Sequence, residues 1–384
     1  MPVTRAIPTA PPWPSESRAA QAVALEVLLH GPISRTEVAR RLNLSQGSLT
    51  RIAAPLVASG LLIDGEEQPT GRVGRGQRPL DVAPDTHHFA GLKLTGTEVI
   101  GVATNLRCET RATARRSLSG TDVSAVVEDI AMVIETLKET VPDISAVGIG
   151  LAGRVVDYTT VVSNVFLGWR DVPLSSLAQE RVGLPVVIEN DITALTEFEH
   201  WFGDGVGLRS LAIITVGAAV GYGAIVNGDI VNSPDAGLGL VGHWPLDPLG
   251  PVCSEGHRGC AQAMLSMPGI SQSVSLALDR KVTYDEALTM AEEGIRGPRA
   301  IIDQAGQGLG RLIGAVSSLV LPELVVIGGE GARLATVASR AVQAGIAEIR
   351  HPDASPIPLA INQSDDVLWC RGAAVLAIQS SVAG

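Results

Sequence analysis

A short segment near the N-terminus carries side chains that could read the edges of nucleic-acid bases. Gln46, Ser48, Thr50 and Arg51 are hydrogen-bonding residues on either side of the apolar Leu49. If the segment is helical, these polar side chains can face the major groove of DNA, where each base pair presents its own pattern of donors and acceptors. The residue types therefore favour sequence-specific DNA binding.

A second kind of chemistry is indicated further along the chain, where apolar runs end in glycine-rich or polar residues. Such strand–loop pairs are typical of α/β proteins, which bind small molecules outside the carboxyl ends of their strands. The pattern occurs at residues 146–153, 185–191, 211–223 and 323–329.

Three short helices are predicted to position the polar segment. Apolar residues at i, i+3, i+4, i+7 and i+8 from Ala20 form one face of a first helix, which Gly31 and Pro32 end. Ser34 and Glu37 form a capping-box pattern at the start of a second helix. Three helices with a short polar turn before the third are the helix-turn-helix arrangement.

The third helix is predicted to begin after its N-cap, Ser45, and Pro55 requires it to kink or to start a new turn. A strand at 61–63 and a glycine- and arginine-rich segment at 71–78 follow, and the latter is predicted to be a wing that reaches phosphates or a minor groove. An alternative is that the module mediates protein contacts and its arginines are only solvated. The predicted DNA-contacting residues are Ser34, Arg35, Thr36, Ser45, Gln46, Gly47, Ser48, Thr50, Arg51, Arg72, Arg75 and Arg78.

The rest of the chain predicts an α/β body. Strands are expected at 89–94, 98–105 and 110–118, followed by a helix at roughly 122–139. The repeated order of hairpins, helices and glycine loops continues to the C-terminus, and a duplicated two-lobe fold fits the length.

Composition and charge limit the class of protein. Hydrophobic residues make up 46% of the 384 residues, so large buried cores are expected, and no apolar run is long enough to span a membrane. The four cysteines do not resemble a disulfide framework, which favours a reducing cytoplasm. Residues 1–86 have a net charge of +1 and the remainder −12, which suits a small DNA-reading module on an acidic body.

Taken together, the sequence resembles the ROK family (repressor, open reading frame, kinase) from about Ser17 onward. The resemblance implies a winged helix-turn-helix domain followed by an α/β, two-lobed, actin-like/ribonuclease-H-like sugar-kinase fold. Family regulators bind operator DNA through the head, and a sugar or sugar phosphate in the body modulates that binding. The strings that carry the resemblance, in family order, are GPISRTEVARRLNLSQGSLTRI, LGWRDVPL, VVIEND, GAAVGYGAIVNG, GHW, CSEGHRGC, PELVVIGG and RGAAVLAI.

Two departures from the family pattern indicate a degenerate kinase. Family kinases carry an Asp-x-Gly-Gly-Thr phosphate loop after the first strand, whereas residues 93–97 read KLTGT, with Lys93 in place of the acidic residue. The second phosphate loop is altered at Ala218 and Ala219. Phosphoryl transfer depends on positioning and charge stabilisation, so these changes predict that the chain has no catalytic residues and is not an enzyme.

The resemblance also implies a set of sugar contacts: Gly153, Asn164, Asn190, Asp191 and His243. Asp191 matches the catalytic base of family kinases, and without a bound phosphate donor it is expected to accept hydrogen bonds from sugar hydroxyls. A capping role for Asn190 and Asp191 at the following helix is the alternative, and both roles are compatible. Leu240 replaces a family glutamate that contacts the sugar, so failure to bind any free sugar is a further alternative.

Family members hold a structural zinc with one histidine and three cysteines, and here the middle cysteine of that segment is Glu255. The resemblance therefore implies zinc ligands at His243, Cys253, Glu255 and Cys260, because zinc also accepts carboxylate oxygen. His257 is the reserve ligand, and a metal-free loop with two free thiols is the alternative.

The resulting hypothesis is a cytoplasmic, nucleoid-associated transcriptional regulator of carbohydrate genes, with no membrane partner. It is expected to repress, to bind palindromic operator DNA as a homodimer or homotetramer, and to respond to a sugar or sugar phosphate. The alternatives are an active hexose kinase with an accessory head and a repressor that senses no ligand. The expected divisions are a disordered arm at 1–14, the head at 15–80, a linker at 81–88 and the body at 89–384.

Overall fold

The computed structural model describes residue 13 and residues 17–65, 78–233, 235, 237–363 and 365–382. By their contacts these residues form two compact units. The first comprises the described residues up to Gly207 together with those from Asp366 onward, and the second comprises Leu208–Asp365.

The first unit begins with the predicted helical head. Each of its helices starts at a serine, and the hydroxyls of Ser17, Ser34 and Ser45 accept backbone N–H groups that would otherwise be unpaired. Ile33 forms a bridge with Leu80 beside an antiparallel strand pair. The head elements are α1 (Arg18–His30), α2 (Arg35–Arg41), α3 (Gln46–Ala58), β1 (Leu62–Asp64) and β2 (Leu80–Val82).

Two features of the head differ from the expectations. Helix α3 continues through Pro55 to Ala58, because the proline lies in the last turn and the buried Leu56 holds that turn against the core. Trp13, in the segment expected to be a disordered arm, is only 5% exposed, and its ring stacks on His87 with centroids 6.2 Å apart. Burial of a large aromatic ring outweighs the proline-rich composition of this segment.

The body part of the first unit is built on a five-stranded sheet in the order β10-β6-β3-β4-β5. Strands β3, β6 and β10 are parallel, while β3, β4 and β5 form an antiparallel meander, as the sequence predicts. A small three-stranded sheet, β7-β8-β9, follows β6. The bounds are β3 (His88–Leu94), β4 (Glu98–Asn105), β5 (Thr110–Ser117), α4 (Val123–Thr140), β6 (Ile144–Leu151), β7 (Arg154–Val156), β8 (Thr160–Asn164), β9 (Trp169–Val172), α5 (Leu174–Val182), β10 (Val186–Asn190), α6 (Asp191–Phe202) and α13 (Asp366–Val382).

The second unit repeats this topology. Its sheet has the order β13-β12-β11-β14-β15, so each sheet has its first strand at the centre, an antiparallel meander on one side and two parallel strands on the other. The duplication that the length suggested is therefore present. The bounds are β11 (Leu211–Val216), β12 (Val220–Val226), β13 (Asp229–Ile230), α7 (Ala261–Leu265), α8 (Met267–Leu278), α9 (Tyr284–Glu292), α10 (Arg296–Val320), β14 (Leu324–Gly328), α11 (Arg333–Val337), α12 (Ser339–Ile349) and β15 (Leu359–Ile361).

Helix α13 packs unusually close to the central strands of the first unit. A Cβ atom at Gly91 of β3 or at Gly148 of β6 would collide with the α13 backbone at Cys370 and Ala373, respectively. Two glycines thus permit the helix backbone to lie directly on the sheet. None of the helices in the described residues is long and apolar enough to cross a membrane.

We expect Gly148→Ala to destabilise the protein by about 1–3 kcal/mol, because the added methyl group forces the helix off the sheet. The matched control is Gly297→Ala in α10, where a Cβ meets open space and where alanine should stabilise the helix by up to about 1 kcal/mol. Urea denaturation of both variants measures the difference. Equal midpoints for the two variants would show that the close approach is not required.

Candidate functional site

The outer face of α3 presents the predicted base-reading side chains to solvent. Gln46, Gly47, Thr50 and Arg51 are exposed, whereas Leu49 is buried in the head core. The helix is thus amphipathic in the sense the sequence predicted, with its hydrogen-bonding residues outward and its apolar residues inward.

Several predicted contact residues also have structural roles. The Ser34 and Ser45 hydroxyls accept from the backbone N–H groups of Glu37 and Ser48 at 3.1 Å, and so cap α2 and α3. Arg35 forms a 2.7 Å ion pair with Asp64 of β1. These groups fix the position of α3 relative to the strands, and any contact they make with DNA is additional to that role.

Gly47 stands out on the exposed face of α3. No heavy atom of the described chain lies within 4 Å of the position its Cβ would occupy. A glycine in a helix costs about 1 kcal/mol relative to alanine, and packing within the described residues gives no reason for it. A partner that approaches the helix backbone closely would give one.

The arginines of α2 are largely neutralised within the head. Arg40 and Arg41 both bind the Glu37 carboxylate, at 2.6 and 2.8 Å, and their hydrogen bonds lower the pKa of Glu37 to about 2. Arg41 also pairs with Glu26 at 3.0 Å. This network was not predicted from the sequence, and it ties Arg40 and Arg41 to acidic neighbours within the head.

The predicted wing lies largely outside the described residues. Strands β1 and β2, which precede and follow the segment 66–77, pair with each other in antiparallel orientation, whereas Arg72 and Arg75 lie outside the described residues. Arg78 is described and exposed, and it precedes β2.

The four predicted sugar residues of the first unit come together at the carboxyl ends of β6 and β10. The Asn164 amide donates to the Ala152 carbonyl at 2.7 Å, and the Asn190 amide donates to the Gly153 carbonyl at 3.0 Å. Both asparagines are at least 95% buried. They hold the loop at Gly153 from two sides, beside Asp191.

Asn190 is also the N-cap of α6, because its Oδ1 accepts from the backbone N–H groups of Ile192 and Thr193. The capping alternative is therefore correct for Asn190. Asp191 begins the helix, and its carboxylate accepts the Ile192 N–H at 3.0 Å. A carboxylate at a helix N-terminus is favourably placed in the field of the helix.

Lys93 interacts with two neighbouring side chains within the first unit. Its ammonium lies 3.5 Å from the carboxylate of Asp366 and 4.8 Å from the centroid of the Trp369 ring, and its side chain is only 14% exposed. Arg115 binds the same Asp366. The position that holds an acidic residue in family kinases is therefore the cationic half of a partly buried ion pair.

In the second unit, the loop that resembles the second phosphate loop forms hydrogen bonds with another part of the chain. The Gln262 amide accepts from the Val220 N–H at 3.1 Å and donates to the Ala218 carbonyl at 3.2 Å. A carboxylate oxygen of Glu330 lies 2.7 Å from the point where a Gly217 Cβ would be. The Val220 N–H is thus already hydrogen-bonded within the chain, and the Glu330 carboxylate lies beside the loop.

His243 lies in a 3-10 turn of the second unit, next to the cysteine loop. His243, Cys253 and Cys260 bring one ligand atom each within 4.8 Å of one another, and His243, Glu255 and His257 do the same. Nδ1 of His243 lies 3.9 Å from the Cys253 sulfur and 3.0 Å from Nδ1 of His257.

The predicted ligands do not all face the same nitrogen of His243. Glu255 approaches Nε2 of His243, at 3.3 Å, on the opposite side of the ring from the atom that faces Cys253. His257, the reserve ligand, lies 3.7 Å from the Cys253 sulfur. Bond lengths of about 2.3 Å to sulfur and 2.0–2.1 Å to nitrogen put neighbouring tetrahedral ligands roughly 3.6 Å apart. Each of the two groups of three residues could therefore hold a metal ion.

The thiol of Cys253 is activated for metal binding. Its burial raises the pKa, but hydrogen bonds from the Glu255 and His257 backbone and from the His257 ring outweigh that effect and lower the pKa to about 6. Since the thiolate is the form that binds metals, this shift favours the ligand form of Cys253 near neutral pH, whereas burial raises the pKa of Cys260.

Comparison with known proteins identifies the body. The model of the ROK family matches residues 89–380. The chain is 24% identical over 322 residues to the DNA-binding transcriptional repressor Mlc of Escherichia coli K12, covering 80% of this chain and 79% of the repressor. It is 28% identical over 263 residues to a glucokinase of Thermotoga maritima, covering 62% of this chain and 82% of the kinase.

Solved structures agree on the fold. A ROK family transcriptional regulator described as a homolog of the E. coli Mlc protein superposes with a TM-score of 0.78 at 21% identity, covering 95% of this chain and 96% of its own. The ROK hexokinase of Thermus thermophilus has a TM-score of 0.66 at 23% identity, covering 77% of this chain and all of its own.

We expect Ser45→Ala to cost about 1 kcal/mol of stability, because the first turn of α3 loses its cap. Ser45→Asp should retain the stability, since aspartate is an equally good N-cap residue. Thermal unfolding followed by circular dichroism distinguishes the two. Equal losses in both variants would mean that the hydroxyl does not act as a cap.

Proposed function

Because the chain belongs to the ROK family, we propose that it is a sequence-specific DNA-binding transcriptional repressor that responds to a sugar or sugar phosphate. The observation that carries the proposal is the exposed, hydrogen-bonding face of α3 around Gly47, on a head that precedes the matched body. The repressor-like structure covers 95% of the chain, whereas the hexokinase covers 77%. The difference corresponds to the length of the head.

In this proposal the head is a winged helix-turn-helix at residues 15–80. Gln46, Ser48, Thr50 and Arg51 enter the major groove, and Gly47 lets the backbone of α3 approach it. Arg72, Arg75 and Arg78 contact phosphates or a minor groove, and Ser34, Arg35 and Thr36 position the head on the backbone. The linker is 81–88 and the body 89–384.

The body is proposed to bind without catalysing. Phosphoryl transfer needs an acidic metal ligand and backbone N–H groups that face the phosphates. In place of these, Lys93 pairs with Asp366, Gln262 takes the Val220 N–H, and Glu330 adds negative charge. An active hexose kinase is the second candidate function, favoured by Asp191 at the end of β10.

The proposed ligand is a sugar or sugar phosphate. Gly153, Asn164, Asn190, Asp191 and His243 would contact its hydroxyls. The relatives include repressors named for xylose and N-acetylglucosamine, and kinases named for glucose, so these sugars are the first to test. Leu240 is 65% exposed and would meet the ligand with an apolar side chain.

A structural zinc ion is proposed in the cysteine loop. His243, Cys253 and Cys260 supply three ligands, and the fourth is His257 or Glu255, with the geometry favouring His257. Four protein ligands leave no open position for chemistry, so the ion would hold the loop together. We also propose a cytoplasmic, nucleoid-associated homodimer or homotetramer that binds a palindromic operator, with recognition helices roughly 34 Å apart.

Selection of bound duplexes from a random DNA pool tests the proposed function. We expect a palindromic consensus that the purified full chain binds. Failure to enrich any sequence would contradict DNA recognition.

On the selected duplex, Arg51→Ala should weaken binding by about 5- to 150-fold and relax specificity, because one bidentate base contact contributes about 1–3 kcal/mol. Arg181→Ala is the matched control, since Arg181 lies on the body and pairs with Glu128 and Glu135. Fluorescence anisotropy at several salt concentrations measures both variants. An Arg51 variant that binds like the parent would mean that α3 is not the reading helix.

The zinc ligands are tested by metal analysis of three proteins. We expect about one zinc per chain in the parent and in Glu255→Ala, and loss of the ion in His257→Ala, because the Glu255 carboxylate faces the wrong nitrogen of His243. Loss of zinc in Glu255→Ala together with retention of zinc in His257→Ala would instead support the ligand set expected from the sequence, with Glu255 as the fourth ligand. A parent with less than about half an equivalent would contradict the zinc site itself.

A further inference from the structure

A single side chain of the body holds two elements of the head. Arg107, in the turn between β4 and β5, donates to the Leu28 carbonyl at 2.7 Å and to the Val27 carbonyl at 3.4 Å, in the last turn of α1. The same guanidinium pairs with Asp81 of β2. The last carbonyls of a helix lack partners within the helix, and a cation is favoured there. Arg107 thus joins α1, β2 and the body.

The head leaves space for this side chain. A Cβ at Gly31, which follows α1, would lie 2.8 Å from a nitrogen of Arg107 and 2.8 Å from an oxygen of Asp81. Only glycine leaves room for the guanidinium and the carboxylate to meet against the end of the helix.

The β4–β5 turn that carries Arg107 is itself hydrogen-bonded to α13. The Arg371 side chain donates to the Cys108 carbonyl at 2.8 Å, and the Cys108 thiol donates to the Arg371 carbonyl at 3.4 Å. Asn105 closes the same turn by accepting the Arg107 N–H at 3.0 Å. The position of this turn therefore depends on the position of α13.

Arg371 also contacts the helix that starts at the candidate sugar site. Its guanidinium lies 4.5 Å from the centroid of the Phe198 ring, on α6. The first turn of α6 contains Asp191, and Asn190 caps it while holding the Gly153 loop. A continuous series of contacts thus runs from Asn190 through Phe198, Arg371 and Arg107 to α1.

We propose that Arg371 and Arg107 form a relay that transmits displacement of α6 at the ligand site to α1 of the head. The inference rests on the proposed function, since it assigns the route by which a bound sugar or sugar phosphate alters DNA binding. Arg107 is a positioning residue: it contacts neither ligand nor DNA and acts by setting the position of α1. Packed and hydrogen-bonded elements can carry energetic coupling between distant sites, and these contacts form such a series.

Hydrogen–deuterium exchange on the full chain without DNA tests the relay. Asn190→Ala removes the cap of α6 and the bond to Gly153, so we expect exchange at residues 27–31 to rise about tenfold, the equivalent of ~1.4 kcal/mol of lost protection at 25 °C. In an Arg107→Met background, which itself raises exchange there, Asn190→Ala should add no further change. Asn190→Ser retains an N-cap acceptor and loses the amide donor to Gly153 without adding a buried charge, so it gives the same comparison with a smaller risk of misfolding.

The matched control is Thr283→Ala, which removes the cap of α9 in the second unit and should leave residues 27–31 unchanged. The relay is overturned if Asn190 variants do not alter exchange in α1, or if they alter it equally with and without Arg107. Because no DNA is present, this result is separate from the duplex selection: a chain that binds no duplex contradicts the proposed function, whatever the exchange shows.

Discussion

The contact of α13 with β3 and β6 is the constraint on which the other features of the first unit depend. Gly91 and Gly148 let the helix backbone lie on the sheet, and any side chain there would displace it. At this distance the first turn of α13 presents Asp366 and Trp369 to Lys93, and the next presents Arg371 to the β4–β5 turn and to α6. The Lys93–Asp366 ion pair, the contact with α6 and the hydrogen bonds to the β4–β5 turn thus all involve the same helix, α13.

The residues at the two positions that resemble kinase phosphate loops make their contacts within the chain. The Lys93–Asp366 pair stabilises a position where a kinase needs a carboxylate oriented toward a metal ion. In the second unit, Gln262 makes the hydrogen bonds of the altered loop internally, and Glu330 stands beside Gly217. Neither change disturbs the cluster of Asn164, Asn190 and Asp191, because those residues belong to different strand ends. The contacts at the two altered loops and the contacts within this cluster therefore involve separate residues.

Much of the local structure could be predicted from the sequence. Strands β3 and β4 begin and end within a residue of their expected positions, and the caps of α2 and α3 are the predicted serines, because periodicity and capping depend on neighbouring residues. The proximity of Gly153 to Asn190 and Asp191 was also accessible, since these residues follow the neighbouring parallel strands β6 and β10, whereas Asn164 ends β8 in a separate sheet. The two-lobe topology followed from the repeated strand–loop order.

What the sequence could not supply are contacts between residues far apart along the chain. Nothing local to Lys93 points to Asp366, nothing near Ala218 points to Gln262, and Arg107 gives no sign of its bonds to α1. The burial of Trp13 depends likewise on His87, beyond the head. The choice between Glu255 and His257 depends on which nitrogen of His243 each one faces, a matter of side-chain geometry rather than residue type.

We propose that this body binds a carbohydrate ligand but transfers no phosphate. Phosphoryl transfer is measured by a coupled assay of ATP turnover with the purified chain, Mg²⁺ and glucose, N-acetylglucosamine or xylose at millimolar concentration. We expect no sugar-dependent turnover above the rate without protein. Sugar-dependent turnover in the range of ordinary enzymes, about 1–10³ per second, would contradict it.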